Sequence, residues 1–240
     1  MFFHDNNAIT CVFSDRAYVF NPQKYRGLSA QSLVAQMPTA YLQKFGNLDA
    51  LYTVHQVHGV QGFVVNDTTS LYEPSFFHEA DFLITRQRRC GLLIATADCM
   101  PLVLYHEQKK VLAVAHVGWR GAVAGIFYQI LQKSFNLFKT DSVGWIVLAG
   151  PTARGCCYQV QQDFIMRSND DYMQDAIIQK GDNFYFDNVT YVQKQSEQQG
   201  LNIKQWHTDY ALCTICSGQF YSYRRENKIH LRNITLAALK

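Results

Sequence analysis

Ala97 Asp98 Cys99 Met100 Pro101, continuing through Ala115 His116 Val117 Gly118 Trp119 Arg120 Gly121, is the stretch around which the chain is organised. Two apolar runs that read as strands, Leu92 to Ala97 and Val111 to Ala115, each end by delivering one metal ligand. The first delivers Cys99 and the second His116. His58, in the segment Gln56 Val57 His58 Gly59, supplies a third. A thiolate and two imidazoles suit zinc, and three protein ligands leave a fourth position for water or substrate. The stretch therefore predicts an open metal site between strand ends.

Working outward, Leu102 to Tyr105 and Ala80 to Thr85 read as further strands. Several of these runs are apolar on consecutive residues, which predicts a sheet covered on both faces. Gly118 to Gly121 makes a tight connection into a helix in which Val123, Ile126, Phe127, Ile130, Leu131, Phe135 and Phe138 share one face. Arg120 stands at the start of that helix, where backbone N–H groups and a guanidinium could together hold an anion such as phosphate.

Toward the N-terminus, Ile9 to Phe13 and Tyr18 to Phe20 read as short strands, and Ser29 to Phe45 as a short helix interrupted by Pro38. Leu51 to Val57 reads as a strand that stops at His58 Gly59, with Phe63 to Val65 as its return. Toward the C-terminus come a strand at Val143 to Ala149 and polar sequence to Gly181. A helix from Asn188 to Gln199 follows, with Gly200 in the C′ place. Leu201 to Trp206, Phe220 to Arg224 and Ile234 to Leu239 read as strands, the last with a short helix as alternative. Strands separated by few long helices imply an α+β fold on a mixed sheet, and the absence of any linker implies one domain over residues 1–240.

Composition narrows the function classes. The chain is 48% hydrophobic and only 17% charged, with a net charge of +3. A dedicated nucleic-acid binder would cluster Lys and Arg, and here there is only the short run Arg86, Arg88 and Arg89, read as a solvated turn. Seven cysteines, an odd count at irregular spacing, argue against a disulfide framework and for a reducing compartment. The Cys213 to Cys216 CxxC has no second CxxC, so it and the adjacent Cys156 Cys157 are expected to pack structurally. No secretory signal and no membrane-spanning stretch is expected, which makes the cytoplasm the default. Oligomeric state leaves no sequence signal.

Gln56 Val57 His58 Gly59, Ala80 Asp81, Ala97 to Leu102, Ala115 to Gly121, Gly150 Pro151, Cys157 Tyr158, Cys213 Thr214 and Ser222 Tyr223 Arg224 Arg225 occur in this order. As a set they resemble the YfiH family, also called laccase-domain or multicopper polyphenol oxidase proteins and more recently purine nucleoside phosphorylases. The resemblance implies zinc held by His58, Cys99 and His116. It implies phosphorolysis of adenosine, inosine, guanosine and S-methyl-5′-thioadenosine, and hydrolytic deamination of adenosine. It also implies a three-layer α/β/α arrangement around a mixed β-sheet. The chain departs from the family pattern in three places. Gln159 stands where the family carries Glu, Glu226 to His230 replaces an acidic-glycine turn ahead of Arg232, and in the first fifty residues only Arg16 resembles a family position.

Deamination at purine C6 needs a strong nucleophile at neutral pH, which zinc supplies by lowering the pKa of bound water to about 7. Asp98, beside Cys99, is the candidate carboxylate to move the proton, with a turn or helix cap as its structural alternative. The H-x-E with P-C-x-x-C pattern of nucleobase deaminases is absent. Phosphorolysis instead needs a bound phosphate, for which Arg120, Arg16 and Arg224 are candidate ligands because planar donors match oxyanions bidentately. Two other enzymatic readings compete. A copper polyphenol oxidase is suggested by Met100 beside Cys99, but a trinuclear centre needs more paired histidines than eight scattered ones offer. A metal-free hydrolase for cell-wall precursor editing would use Cys99 as nucleophile and His116 as base, which a metal on the thiolate would block. A non-catalytic nucleotide sensor is the remaining alternative.

Overall fold

In strands Met100–His106 and Val111–Val117 every residue is buried, because both faces of the sheet they form are covered. Successive side chains alternate between two cores. Leu102, Leu104, Ala113 and Ala115 pack with Ile126, Phe127 and Ile130 of helix Ile126–Phe138. Val103, Tyr105, Leu112 and Val114 pack with Ile9, Leu92, Ile94 and Ala237 of a second sheet. The computed structural model describes residues 1–166, 171–227 and 229–240. Residues 167–170, within the polar run read before Gly181, and Lys228 lie outside the described residues.

The first sheet runs in the order Gln205–His207, Trp145–Ala149, Met100–His106, Val111–Val117, Phe82–Thr85, Gly62–Val65. Its two edge strands pair parallel with their neighbours and its interior pairs are antiparallel. The second sheet runs Phe2–Asp5, Ile9–Phe13, Asn233–Leu239, Cys90–Thr96, Ala50–Tyr52. Its outer face carries helices Ala30–Val34 and Thr39–Phe45, through Leu33 and Tyr41 against Leu93 and Leu236. Helices Ile126–Phe138 and Asn188–Gln198 cover the outer face of the first sheet. The α+β class and the layering of helices around mixed β-structure therefore hold, and the β layer is itself two stacked sheets. A small antiparallel sheet of Gln159–Val160, Asn183–Phe186 and Ile177–Lys180 lies beside them.

Several local expectations are corrected. Phe63 to Val65 is no return strand for Leu51, since Gly62–Val65 and Ala50–Tyr52 belong to different sheets. Tyr18 to Phe20 reduces to one bridge between Phe20 and Arg232. Phe220 to Arg224 forms no strand, because the Arg225 guanidinium takes the carbonyls of Thr214, Ser217 and Phe220 and folds the segment into turns. The expected long helix breaks at Gly125, whose φ of 80° is left-handed, into Trp119–Val123 and Ile126–Phe138. Ser134 rather than Phe135 faces inward. Ser29 to Phe45 is two helices separated before Pro38, and the strand read from Leu201 begins only at Gln205.

One register places the site. Phe82 lies opposite Ala115, so Asp81 falls opposite His116, and the His116 N–H donates to the Asp81 carbonyl at 2.7 Å.

Candidate metal centre

The ligating atoms of His58, Cys99 and His116 all lie within 4.8 Å of one another. Cys99 sits in the turn between Cys90–Thr96 and Met100–His106, and His116 near the end of Val111–Val117. His58 has φ of 62° and Asp98 has φ of 85°, so two of the ligand-bearing turns hold non-glycine residues in left-handed backbone. Asp81, fully buried, fastens one of those turns to one of the ligands. Its Oδ1 accepts from the His58 N–H at 2.9 Å and from His116 Nδ1 at 2.8 Å, and its Oδ2 accepts from the Gly59 N–H. With Nδ1–H donated to Asp81, the free lone pair of His116 is on Nε2, which is the tautomer a metal requires. One sulfur and two nitrogens, with a carboxylate behind one imidazole, fit a zinc ion with an open position.

The glycines of this stretch are explained by what surrounds them. A Cβ on Gly118 would lie 3.0 Å from His58 Cδ2 and 3.3 Å from Cys99 Sγ. A Cβ on Gly121 would lie 2.9 Å from the Gly59 carbonyl oxygen, so the first helical turn packs on the turn that carries His58. Gly118 has φ of −73° and ψ of 164°, which any residue adopts, so Gly118→Ala carries no backbone penalty. It is expected to weaken zinc binding about tenfold by displacing two ligands a few tenths of an ångström, with the melting temperature of the metal-free protein unchanged. Chelator competition and thermal melting check the two halves of that statement.

Burial alone would raise the Cys99 thiol, but the His116 charge and hydrogen bonds from His116 and His58 bring it down to about 6. Burial alone would lower His116, but the Cys99 thiolate and the Asp81 carboxylate raise it to about 9. Without metal the pair is thus thiolate and imidazolium. Cys99 contributes stability that is present above 9.0 and lost as pH falls through about 6. His116 contributes stability that is present below 6.5 and lost as pH rises through about 9. Between 6.5 and about 9 the two slopes oppose, since thiol plus imidazole binds as many protons as thiolate plus imidazolium. The metal-free protein is therefore expected to show no pH dependence from this pair in that window. Zinc binding there must displace the imidazolium proton, so its affinity should rise about tenfold per pH unit. Calorimetric titration in buffers of different ionisation heat reads the released proton.

The other expected residues are placed unevenly. Asp98 does not leave its carboxylate free: Oδ1 accepts from the Thr214 hydroxyl at 2.7 Å and Oδ2 from the Arg224 N–H at 2.8 Å. The Asp98 carbonyl accepts from the Ala153 N–H and the Thr152 hydroxyl. Arg224 lies over the Tyr158 ring at 4.6 Å and adjoins a cavity of about 420 Å³ lined by Gln159, Val160 and Gln161. Arg120 stacks on Trp119 at 4.6 Å, and Trp119 packs against the core. Arg16 is turned to Glu226 at 3.2 Å and to the Tyr221 ring. Met100 is buried in the helix-side core. The Gln159 side chain hydrogen-bonds Asn183.

Two residues were not singled out as site residues by the sequence reading. Asp81 is one. Tyr158 is the other, whose hydroxyl is raised to about 12 by burial and by the Cys99 thiolate, against the nearby Arg224. A periodic reading gives neither away, because each depends on a neighbour from another strand or loop.

The chain resembles known proteins over most of its length. A family profile described as multi-copper polyphenol oxidoreductase laccase matches residues 18–240. The chain is 30% identical over 155 residues to a protein of Borreliella burgdorferi named purine nucleoside phosphorylase, covering 62% of this chain and 65% of that one. It is 30% identical over 149 residues to the purine nucleoside phosphorylase of Aquifex aeolicus, covering 62% and 66%. The match thus spans just under two thirds of the length of these relatives. The crystal structure of a Bacillus licheniformis hypothetical protein, YfiH, superposes with a TM-score of 0.78 at 19% identity, over 99% of each chain. With a two-sheet fold shared over its whole length and a profile match that takes in every ligand of the site, this chain belongs to the multi-copper polyphenol oxidoreductase laccase family, the group its YfiH-like motifs resemble.

Proposed function

We propose that the protein is a zinc-dependent purine nucleoside phosphorylase that cleaves adenosine, inosine, guanosine and S-methyl-5′-thioadenosine, with adenosine deaminase activity at the same site. The observation that carries this reading is the convergence of His58, Cys99 and His116 in front of Asp81, in a chain 30% identical over about 150 residues to proteins named purine nucleoside phosphorylase. His58, Cys99 and His116 would hold the ion. Zinc held there supplies Lewis acidity at neutral pH without consuming a proton. The donor set favours zinc over a multicopper centre. Among the described residues, histidines enter only one group of three or more candidate ligands, and Met100 packs away in the core.

The chain's own residues account for the rest of the chemistry. Arg224 and Arg120 present guanidinium groups on the rings of Tyr158 and Trp119, suited to a phosphate dianion and the ribose hydroxyls. The Tyr158 hydroxyl stays protonated at neutral pH, so it can donate to a purine nitrogen or a ribose oxygen. Asp98 serves as a positioning residue that ties Thr214 and Arg224 to the Cys99 turn. Arg16, held by Glu226, takes part only where a substrate displaces that pairing. Arg224→Ala is expected to raise the KM for phosphate roughly 10- to 100-fold, the worth of one charge-assisted hydrogen bond, with a smaller change in kcat. Initial rates against phosphate at saturating inosine measure it.

A second reading is favoured by one observation. Cys99, His116 and Asp81 also line up as nucleophile, base and orienting carboxylate, which suits a metal-free cysteine hydrolase. One experiment separates them. Purified protein is incubated with inosine or adenosine, with and without phosphate and with and without a chelator, and the products are resolved by chromatography. Phosphate-dependent release of hypoxanthine, abolished by the chelator and restored by zinc, supports the proposal. Loss of adenosine to inosine without phosphate supports the deaminase. Activity indifferent to chelation, or no release of base at all, overturns the proposal.

A further inference from the structure

Four of the seven cysteines, distant in sequence from the site above, meet in a second place. The sulfur atoms of Cys156, Cys157, Cys213 and Cys216 all lie within 4.8 Å of one another. Cys156 and Cys216 are 3.8 Å apart between sulfurs. A disulfide would need about 2.05 Å. A tetrahedron of thiolates around zinc, with Zn–S of about 2.3 Å, has edges of about 3.8 Å. The Cys156–Cys216 spacing is that of one such edge, and the other two sulfurs lie close enough to share an ion with them.

We propose that Cys156, Cys157, Cys213 and Cys216 bind a second zinc ion in a closed, four-thiolate structural site that clamps the 152–157 loop to the 211–217 loop. This inference does not depend on the catalytic reading. The backbone around the cluster is arranged for it. The CxxC segment turns at the cluster, with the Ser217 N–H donating to the Cys213 carbonyl at 3.1 Å. The two loops are already registered by Thr152 N–H to the Leu212 carbonyl at 3.0 Å and Thr214 N–H to the Thr152 carbonyl at 2.9 Å. Four thiolates on a dication carry two negative charges, and two cations stand beside them. Lys180 Nζ donates to the Cys156 carbonyl at 3.1 Å, and the Arg225 guanidinium donates to the carbonyls of Thr214, Ile215 and Ser217. Cys156 and Cys216 are exposed, so the ion has access and the displaced thiol protons pass to water. No oxidant or reductant takes part. The clamp also bears on the first site, because Thr214, between the two CxxC cysteines, holds Asp98, which adjoins Cys99.

The test uses the full chain, reduced, loaded with zinc and desalted, then with cobalt in place of zinc. Elemental analysis is expected to give two zinc ions per wild-type chain. Cys99→Ala should keep one ion, and its cobalt form should show the intense charge-transfer absorption of four thiolates. The double variant Cys156→Ser with Cys216→Ser should also keep one ion, with the weaker absorption of a single thiolate. A wild-type chain that holds no zinc, or whose cobalt form lacks the four-thiolate intensity, overturns the proposal, whether or not either variant folds. So does a cobalt spectrum of Cys99→Ala without the four-thiolate intensity. A chain that after reduction re-forms a disulfide between Cys156 and Cys216 in the presence of excess zinc, losing two hydrogens by mass, overturns it as well.

Discussion

Cys99→Ala is expected to abolish zinc binding at the His58 and His116 site and to bring nucleoside phosphorolysis to background. If three protein ligands share a binding free energy of roughly 10 to 16 kcal/mol, one ligand accounts for roughly 3 to 5 kcal/mol. That is a weakening of roughly 10² to 10⁴ in affinity, enough to empty the site at ordinary zinc levels. The fold should survive. Cys99 is only partly buried in a turn, and its neighbours in the flanking strands are packed without it. The metal-free variant should therefore still melt cooperatively but below the metal-free wild type, which keeps the thiolate–imidazolium pair, and zinc should stabilise the variant less than the wild type, because only the four-cysteine site is left to bind it. Because Cys99→Ala would also disable a cysteine hydrolase, His58→Ala is the companion measurement. A metal enzyme loses both zinc at this site and activity with His58→Ala, whereas a hydrolase built on Cys99, His116 and Asp81 retains turnover. Retention of phosphorolysis by either variant would sink the assignment of the site.

Cys99 and His116 were legible in the sequence because each stands at the end of a strongly apolar run, whereas the run read before His58, Leu51 to Val57, is a strand only over Ala50–Tyr52. Runs such as Cys90–Thr96 and Val111–Val117 are apolar on consecutive residues since both faces of each sheet are covered, and that pattern survives without any knowledge of pairing. What depends on pairing was not legible. Asp81 is one residue outside a strand, and only the register of Phe82 with Ala115 sets it against His116. Phe220 to Arg224 has the aromatic content of a strand, yet Arg225 satisfies the carbonyls that a ladder would have used. The helix break at Gly125 rests on one left-handed residue within an otherwise regular apolar stripe. Cys156 and Cys157 carry only a packing signal in the sequence, and their partner pair is brought to them by the bridge between Thr152 and Cys213, a contact between loops with no periodicity at all.

Asp81→Asn tests the support of the site without touching a ligand. The carboxylate accepts three N–H groups in a fully buried position, from His58, Gly59 and His116, and it is held ionised: burial opposes this, but the hydrogen bond and charge of His116 and the two backbone N–H groups outweigh it. An asparagine offers one acceptor oxygen in place of two. With that oxygen toward His58 and His116, its amide N–H₂ meets the Gly59 N–H, donor against donor. With the amide reversed, the N–H₂ faces His116 Nδ1 and selects the tautomer in which Nδ1 accepts. Nε2 then carries the proton, and no lone pair remains for a metal. Either arrangement leaves a buried donor unpaired, which costs about 1 to 3 kcal/mol of stability, and orienting partners of this kind are worth about 10- to 100-fold in metal affinity. Asp81→Asn is therefore expected to lower zinc affinity about 100-fold and to lower the melting temperature even without metal. Nitrogen-detected NMR of the His116 ring, recorded on the metal-free protein above the pH of about 9 at which the ring becomes neutral, distinguishes the two arrangements, since only the reversed amide moves the proton from Nδ1 to Nε2. A variant that binds zinc as the wild type does, with the Nδ1–H tautomer intact, would mean that His116 is oriented by its strand alone and that Asp81 serves only the turn at His58.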